Sequence, residues 1–150
     1  MSEKDKFEAY FREVQPKFSR FYFHILSQAG LTLPQYALLN QLALAGTMSM
    51  TEAGERLHIS KPAVTNLVDR LEKNKFLKRL AHPKDRRVYL LEIQPEGKTI
   101  ARKIQTQALN LLLRSLGSFS EGEQKTISRF YAELSKTISV TLMRLKGNGR

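Results

Sequence analysis

The sequence predicts a mainly α-helical fold with one small β-hairpin, an α+β arrangement. Apolar residues recur at three- and four-residue steps through most of the 150 residues, and this spacing is the period of an α-helix. Between residues 76 and 93 the pattern changes to short apolar runs separated by a turn, which predicts a pair of strands. A chain of this length is normal for one domain with a buried core.

The first predicted helix runs from about Glu3 to Gly30, a residue type that commonly ends helices. Its apolar stripe is unusually aromatic. Such a stripe is more typical of packing against other helices, or against a second subunit, than of cofactor binding. The stripe consists of Phe7, Phe11, Val14, Phe18, Phe21 and Ile25.

Two capping boxes predict the next two helices, because each pairs a hydroxyl residue with Gln or Glu three positions later. Thr32 and Gln35 open a second helix, which continues to a break at residues 46–47. Ser49 and Glu52 open a short third helix of about two turns.

The fourth helix, residues 60–74, is central to the prediction. It follows the third helix after a tight turn at His58, a residue type that tolerates left-handed backbone geometry, so the two helices predict a helix-turn-helix. Ser60 is placed to cap the first turn. One stripe is apolar and should be buried: Val64, Leu67, Val68 and Leu71. An Asn amide can bond an adenine edge and a Thr methyl can touch thymine. Both types occur on the other side, with Lys61, Pro62, Thr65, Asn66, Asp69 and Lys73.

A basic hairpin follows the fourth helix. Its strands are predicted at residues 76–80 and 88–93, and its turn at residues 82–87. A helix-turn-helix followed by a basic hairpin is a winged helix, and the combination is much more specific than either part. From Arg56 to Lys103 there are thirteen Lys and Arg against five Asp and Glu, so +8 of the net charge of +11 falls in this stretch.

The whole composition favours a polyanionic partner. The chain has a net charge of +11 and a pI of about 10.1, which favours nucleic acid ahead of a membrane surface. It has no cysteine, so disulfides and Cys-rich zinc sites are excluded. No apolar run approaches the ~18 residues of a membrane span, and the N-terminus lacks the apolar region of a signal peptide. We therefore expect a cytoplasmic protein with no membrane partner.

Two more helices are predicted after the hairpin. One begins at Gly97 and ends near Leu116, and a capping box of Ser120 and Glu123 opens the last. Both carry apolar stripes, and together with the first helix they exceed what a small winged helix needs for its core. Burial of the surplus against a second copy is the simplest solution, so we expect a homodimer. A monomeric helical bundle is the alternative.

The expected organisation is a single domain over residues 1–150. A winged helix-turn-helix at about 31–96 is flanked by long dimerisation helices at about 3–30 and 97–146.

Four stretches of the central chain resemble the MarR family of winged helix-turn-helix transcription regulators. They are LTLPQ at 31–35, SKPAVTNLVDRLE at 60–72, DRR at 85–87 and PEG at 95–97. The resemblance implies a homodimer that places two recognition helices in successive major grooves of double-stranded DNA and each wing in a neighbouring minor groove. The expected function is sequence-specific transcription regulation, with repression from an inverted-repeat operator.

The resemblance also implies which residues contact DNA. Arg87 takes the place of the wing arginine that enters the minor groove in the family, whereas Asn66 stands where many members carry arginine, so the base preference is not carried over. His58 and Lys75 stand where the family commonly has glycine. The expected DNA-binding residues are Ser60, Lys61, Pro62, Thr65, Asn66 and Arg70 on the helix, and Lys84, Asp85, Arg86 and Arg87 on the wing.

Family members often release DNA when a small ligand, frequently aromatic and anionic, binds between the dimer arm and the winged helix. The resemblance implies such an effector here, although no residue set in the sequence identifies it.

Catalysis finds little support in the sequence. There is no cysteine nucleophile, and His24, His58 and His82 lie far apart without the spacing of a metal site. We therefore predict no enzyme activity, no cofactor and no metal. The alternative function is that of a non-specific basic winged helix, either architectural or RNA-binding.

Overall fold

The computed structural model of the chain describes residues 1–147, without the side chain of Lys146. Helices dominate this part of the chain, as predicted. The elements are α1 (Glu3–Gln28), α2 (Leu33–Ala45), β1 (Thr47–Ser49), α3 (Met50–Leu57), α4 (Lys61–Lys73), β2 (Leu77–Ala81), β3 (Tyr89–Ile93), α5 (Pro95–Leu116) and α6 (Glu121–Gly147). They form two compact units, Met1–Ala108 and a second unit that begins at Leu109.

The capping box predicted for α2 is confirmed. The Gln35 amide N–H donates to the Thr32 hydroxyl at 3.4 Å, and the Thr32 N–H donates to the Gln35 side chain at 2.8 Å. At α6 the same reciprocal pair forms, with the Ser120 N–H donating to Glu123 Oε2 at 2.8 Å. These bonds satisfy amides that no helical carbonyl can reach.

The capping box predicted for α3 is wrong in one half. Ser49 does cap the helix, because its hydroxyl accepts the Glu52 N–H at 3.0 Å. The Glu52 carboxylate does not return to the Ser49 N–H. It accepts two hydrogen bonds from the Arg56 guanidinium one turn later, at 3.0 and 2.6 Å, since that cation is the stronger donor.

A three-stranded antiparallel sheet stands where the sequence predicted a two-stranded hairpin. The strand order is β1-β3-β2, and β1 pairs with β3 through Met48 and Leu91. The predicted break at residues 46–47 therefore leads directly into a strand. Its three residues are too few to display a periodicity, and only the pairing with β3 makes them extended. The two predicted strands form one residue later than expected at their first positions.

The core of the first unit joins α1, α2, α4, the sheet and α5. Its most buried side chains include Leu38, Leu39, Leu42, Val68, Leu71, Leu91 and Ile104. Leu67 departs from the prediction, since it is only half-buried at the edge of the α4 stripe. The C-terminal end of α1 also belongs to this core, through Ile25 and Leu26.

Two non-glycine residues adopt left-handed backbone conformations, and both were singled out in the sequence. His58 ends α3 with φ 54° and ψ 44°, and Lys75 follows α4 with φ 60°. The turn at His58 brings α4 close to Gly54, where a β-carbon would lie 3.1 Å from Val64 Cγ2. The helix-turn-helix therefore depends on a small residue in α3.

The second unit contains the end of α5 and the whole of α6. A cavity of about 380 Å³ between them is lined by apolar side chains such as Leu112, Leu116 and Ile127. Much of α6 exposes large apolar side chains: Phe130, Tyr131, Leu134, Ile138, Leu142 and Leu145. No helix within residues 1–147 combines the length and apolar character needed to cross a membrane.

Candidate nucleic-acid interface

The fourth helix presents a polar face to solvent. Ser60 begins it by accepting the Ala63 N–H at 3.4 Å, and Val64, Val68 and Leu71 hold its other face in the core. Because the buried residues recur at i, i+4 and i+7, the remaining positions point outward. The exposed residues include Lys61, Pro62, Thr65, Asn66 and Arg70.

The outward side chains are available for an external partner. The Thr65 hydroxyl donates to the Lys61 carbonyl at 3.1 Å, which engages its proton within the helix. Within residues 1–147, the Asn66 amide and the Arg70 guanidinium have no hydrogen-bond or ion-pair partner. Both line a shallow groove of about 310 Å³ beside Thr32 and Pro34. An unpaired amide and guanidinium at the mouth of a groove can bond a base edge and a phosphate.

Arg79 on β2 ties the wing to this helix. Its guanidinium donates to both Asp69 and Glu72, with 2.5 Å to Glu72 Oε1, and its backbone N–H donates to Glu72 Oε2 at 3.0 Å. Burial disfavours its charged form, but the hydrogen bonds to Asp69 and Glu72 outweigh burial and raise the pKa of Arg79 above its ordinary value. The first strand of the wing is thus fixed to the last two turns of α4.

The wing turn is held by side-chain contacts to the backbone. His82 Nδ1 accepts the N–H groups of Lys84 and Asp85 at 3.1 and 3.2 Å. Asp85 Oδ1 in turn accepts from the Arg87 backbone N–H at 3.0 Å and from Arg87 Nε at 3.4 Å. The Arg87 side chain nevertheless remains 92% exposed. The turn therefore fixes the Arg87 backbone while the guanidinium projects into solvent.

The carboxylates of this surface are engaged and most of its cations are not. Asp69 and Glu72 pair with Arg79, and Asp85 pairs with Arg87. Within residues 1–147, six cations of the same stretch have no carboxylate partner: Lys61, Arg70, Lys73, Lys75, Lys84 and Arg86. The outward charge of α4 and the wing is therefore strongly positive, and such a surface is suited to binding a polyanion.

Comparison with known proteins agrees with this geometry. A model of the MarR family matches residues 29–88. The uncharacterized HTH-type transcriptional regulator YsmB of Bacillus subtilis is 29% identical over 116 residues, which cover 75% of this chain and 80% of YsmB. The HTH-type transcriptional repressor MdtR of the same bacterium is 27% identical over 129 residues, 86% of this chain and 81% of MdtR. The central part of the chain is thus similar to the MarR family.

A solved structure shares the fold along most of the chain. The YusO protein of Bacillus subtilis superimposes with a TM-score of 0.79 at 24% sequence identity, covering 91% of this chain and 99% of YusO. The two relatives, YsmB and MdtR, are named as HTH-type transcriptional regulators. No cluster of three or more metal-ligating side chains occurs within residues 1–147.

The residues predicted from the sequence fall into two groups in this structure. Ser60, Lys61, Pro62, Thr65, Asn66 and Arg70 share the outer face of α4. Lys84, Asp85, Arg86 and Arg87 share the wing turn. Sequence reasoning missed Arg79 and the contacts of His82. Asp69 and Glu72, three residues apart on one side of a helix, were the only indication that a cation had to lie opposite them.

Proposed function

We propose that the protein is a homodimeric repressor that binds an inverted repeat in double-stranded DNA. The observation that carries the proposal is the exposed polar face of α4 beside a basic wing whose acids are already engaged. In this proposal α4 enters the major groove, which is about 12 Å wide and admits a helix. Ser60, Lys61, Pro62, Thr65, Asn66 and Arg70 then face bases and phosphates.

The wing supplies the second set of contacts. A long cation is attracted to the negative potential of a narrow A·T-rich minor groove, and Arg87, at 92% exposure, is the extended cation of the turn. Lys84 and Arg86 are suited to neighbouring phosphates, and Asp85 fixes the backbone from which Arg87 projects. Two-fold symmetry of a dimer then requires half-sites whose centres lie about 10–10.5 bp apart.

Footprinting with purified protein tests this proposal, with the DNA upstream of its own gene as the first substrate. We expect a protected inverted repeat, and binding to it about 10³-fold or more tighter than to scrambled duplex. If the interface makes roughly 6–10 phosphate contacts, affinity should fall by about 10³–10⁵ between 50 and 200 mM salt. A flat salt response would contradict a phosphate-dominated interface.

The alternative, a non-specific architectural or RNA-binding protein, predicts near-equal binding to any duplex. RNA readers stack bases on exposed aromatic rings. Between residues 60 and 87 the one aromatic is Phe76, which packs against the core. Most of the exposed aromatics lie on α1 and α6, and on the wing Tyr89 of β3 is 51% exposed. These observations favour duplex DNA, and the ratio of operator to scrambled binding separates the two functions.

The sign of regulation is the next part of the proposal. The similarity to MdtR, which is named as a transcriptional repressor, supports repression here. A reporter gene placed downstream of the footprinted repeat should be silenced when the protein is produced, and it should recover with the Asn66→Ala variant. Activation of the reporter would reverse this part of the proposal. Because its DNA partner is chromosomal, we place the protein in the cytoplasm.

We propose that a small effector occupies the cavity between α1 and α2. Its volume is about 630 Å³, a size typical of ligand pockets. None of the lining residues is charged. Two serines and one threonine accompany the aromatic and aliphatic side chains, which are Phe18, Tyr22, Phe23, Leu26, Leu31 and Leu33. Such a lining favours an uncharged aromatic ligand over the anionic kind that the family resemblance implied.

Benzyl alcohol and benzoate form a matched pair of probes for this cavity, since they differ mainly in charge. We expect benzyl alcohol to shift the amide resonances of Ser19 and Ser27 and to weaken operator binding. Benzoate should do neither at equal concentration. Stronger binding of benzoate would overturn the assignment of an uncharged ligand.

A further inference from the structure

The wing turn is organised around one imidazole nitrogen. The last register pair of the hairpin is Ala81 with Tyr89, and the seven residues between them form the turn. The His82 N–H donates to the Val88 carbonyl at 3.1 Å, and the Val88 N–H donates to the Asp85 carbonyl at 3.1 Å. Inside this frame His82 Nδ1 accepts two backbone N–H groups, those of Lys84 and Asp85.

These two contacts require one protonation state. An imidazole nitrogen accepts a hydrogen bond only through its lone pair, so Nδ1 must carry no proton, and the ring is neutral with its proton on Nε2. In an imidazolium both nitrogens are donors. A protonated Nδ1 would then face two N–H donors at about hydrogen-bond distance, and the cap could not persist.

We propose that neutral His82 is the positioning residue of the wing: its Nδ1 cap holds the turn that presents Arg86 and Arg87 to DNA, and protonation of the ring releases the turn. The inference rests on the proposed DNA contacts of the wing. In this proposal His82 does not contact DNA. It acts through the backbone of Lys84 and Asp85. Asp85 then passes the constraint on, because its carboxylate holds the Arg87 backbone.

The charged and ionisable groups around the His82 ring are those that could also interact with it. The charged groups of the turn are Lys84, Asp85, Arg86 and Arg87, and the ionisable residue at the start of the paired strand is Tyr89. Asp85 is the one acid among them, and its Oδ1 is engaged by Arg87. Three cations against one acid give the turn a net charge of +2 before the ring is protonated.

Two substitutions separate the cap from the titration. In His82→Asn the side-chain amide oxygen can accept the same two N–H groups, as Asn does in turns, but it does not titrate. In His82→Ala the cap is absent at every pH. His24 and His58 remain in both variants, so any difference from the parent reports on His82 alone.

The first measurement uses the free protein and needs no DNA. Amide resonances and hydrogen-exchange rates of Lys84 and Asp85 are followed from about pH 7.5 to 5.5, the range in which histidine titrates. In the parent both amides should change together with the ring resonances of His82. They should stay constant in His82→Asn and resemble exposed amides throughout in His82→Ala. Amides that ignore the titration of the ring would overturn the proposal.

The second measurement is binding to the footprinted repeat at constant ionic strength over the same pH range. The parent should weaken about fivefold to tenfold relative to His82→Asn as the pH falls, since two modest hydrogen bonds are lost. It should approach His82→Ala at the acidic end. An increase in affinity at low pH, as expected if the extra charge simply attracted phosphate, would also overturn the proposal. A parent that binds no DNA even at about pH 7.5 would refute the proposed function, while the amide measurement would still decide the role of His82.

Discussion

At the scale of single residues, Asn66 is the side chain we expect to read a base. It is exposed on α4 and has no hydrogen-bond partner within residues 1–147. Asn66→Ala should weaken operator binding by about 1–3 kcal/mol, affect scrambled duplex little, and relax preference at one position in each half-site. Titrations against both duplexes measure this, and an unchanged specificity ratio would show that Asn66 only solvates the helix.

The Arg87→Ala variant should lose DNA binding in a different way from Asn66→Ala. A minor-groove or phosphate cation adds to binding of any duplex, so Arg87→Ala should weaken operator and scrambled DNA together and lower the salt slope by about one unit. Some preference for A·T-rich flanks should also be lost. Lys17 on α1 provides the control. Like Arg87, it is exposed and paired with one carboxylate, that of Glu13, but it lies far from the wing in sequence, so Lys17→Ala removes one cation elsewhere. Equal salt slopes for all three proteins would exclude the wing contact.

The sequence indicated the left-handed turn at His58, but it did not indicate the side-chain partners of Arg79 and His82. His58 was placed at a left-handed turn because a tight connection between two helices requires one. Lys75 was noted only as standing where glycine is common, and its left-handed backbone was not predicted. The contacts of Arg79 and His82 depend on how the hairpin turns back on α4. That geometry comes from packing in three dimensions, which no local pattern encodes.

At the scale of elements, the junction of the wing with α5 depends on Gly97. A β-carbon there would lie 2.1 Å from the Phe76 carbonyl oxygen, and Phe76 O also accepts the Gln94 N–H at 2.8 Å. Since the obstacle is backbone, Gly97→Ala should destabilise the protein by about 1–3 kcal/mol, as overpacking does. Urea unfolding at fixed protein concentration measures it.

Gly122 in α6 is the matched control for that substitution. A β-carbon at Gly122 meets nothing within 4 Å, so Gly122→Ala should be neutral or stabilise by up to about 1 kcal/mol through helix propensity. If both variants unfold at the same urea concentration as the parent, the close approach at Gly97 does not constrain the fold.

Helices were predicted better than strands, and the reason is length. The long helices α1, α5 and α6 repeat their apolar pattern over many turns, so their existence follows from the sequence alone. Strand β1 has three residues, and its extended form comes from hydrogen bonds to β3, which lies some forty residues later in the chain. An element that exists only through a distant partner leaves no periodic pattern to find.

At the scale of the whole molecule, we expect the exposed apolar faces of α1 and α6 to be buried in a dimer. A chain that starts at Leu31 is a poor test, because it would also remove Ile25 and Leu26 from the core. Ile138→Glu is better, since Ile138 is 49% exposed on α6. The parent should sediment at twice the chain mass of 17.2 kDa at micromolar concentration, and the variant should shift toward monomer.

Leu44 offers the control for that experiment. It is the most exposed leucine, at 85%, and it lies at the end of α2 rather than on α1 or α6. Leu44→Glu should therefore leave the sedimentation unchanged. A parent that is already monomeric, or a Leu44→Glu variant that dissociates like Ile138→Glu, would favour the monomeric bundle.

The ion pairs of Arg79 with Asp69 and Glu72 have a consequence for how the proposed regulator could change its target DNA. The residues that hold the wing, Asp69 and Glu72, lie about one to two turns further along α4 than Thr65 and Asn66. Substitutions at the outer face can therefore alter the bases preferred without loosening the hairpin. A substitution of Arg79, Asp69 or Glu72 would instead need a compensating substitution at its ion-pair partner. Libraries that vary only residues 61, 62, 65 and 66 should thus yield folded proteins that bind new operators. Among related sequences, the preferred DNA sequence should change faster than the geometry of the wing.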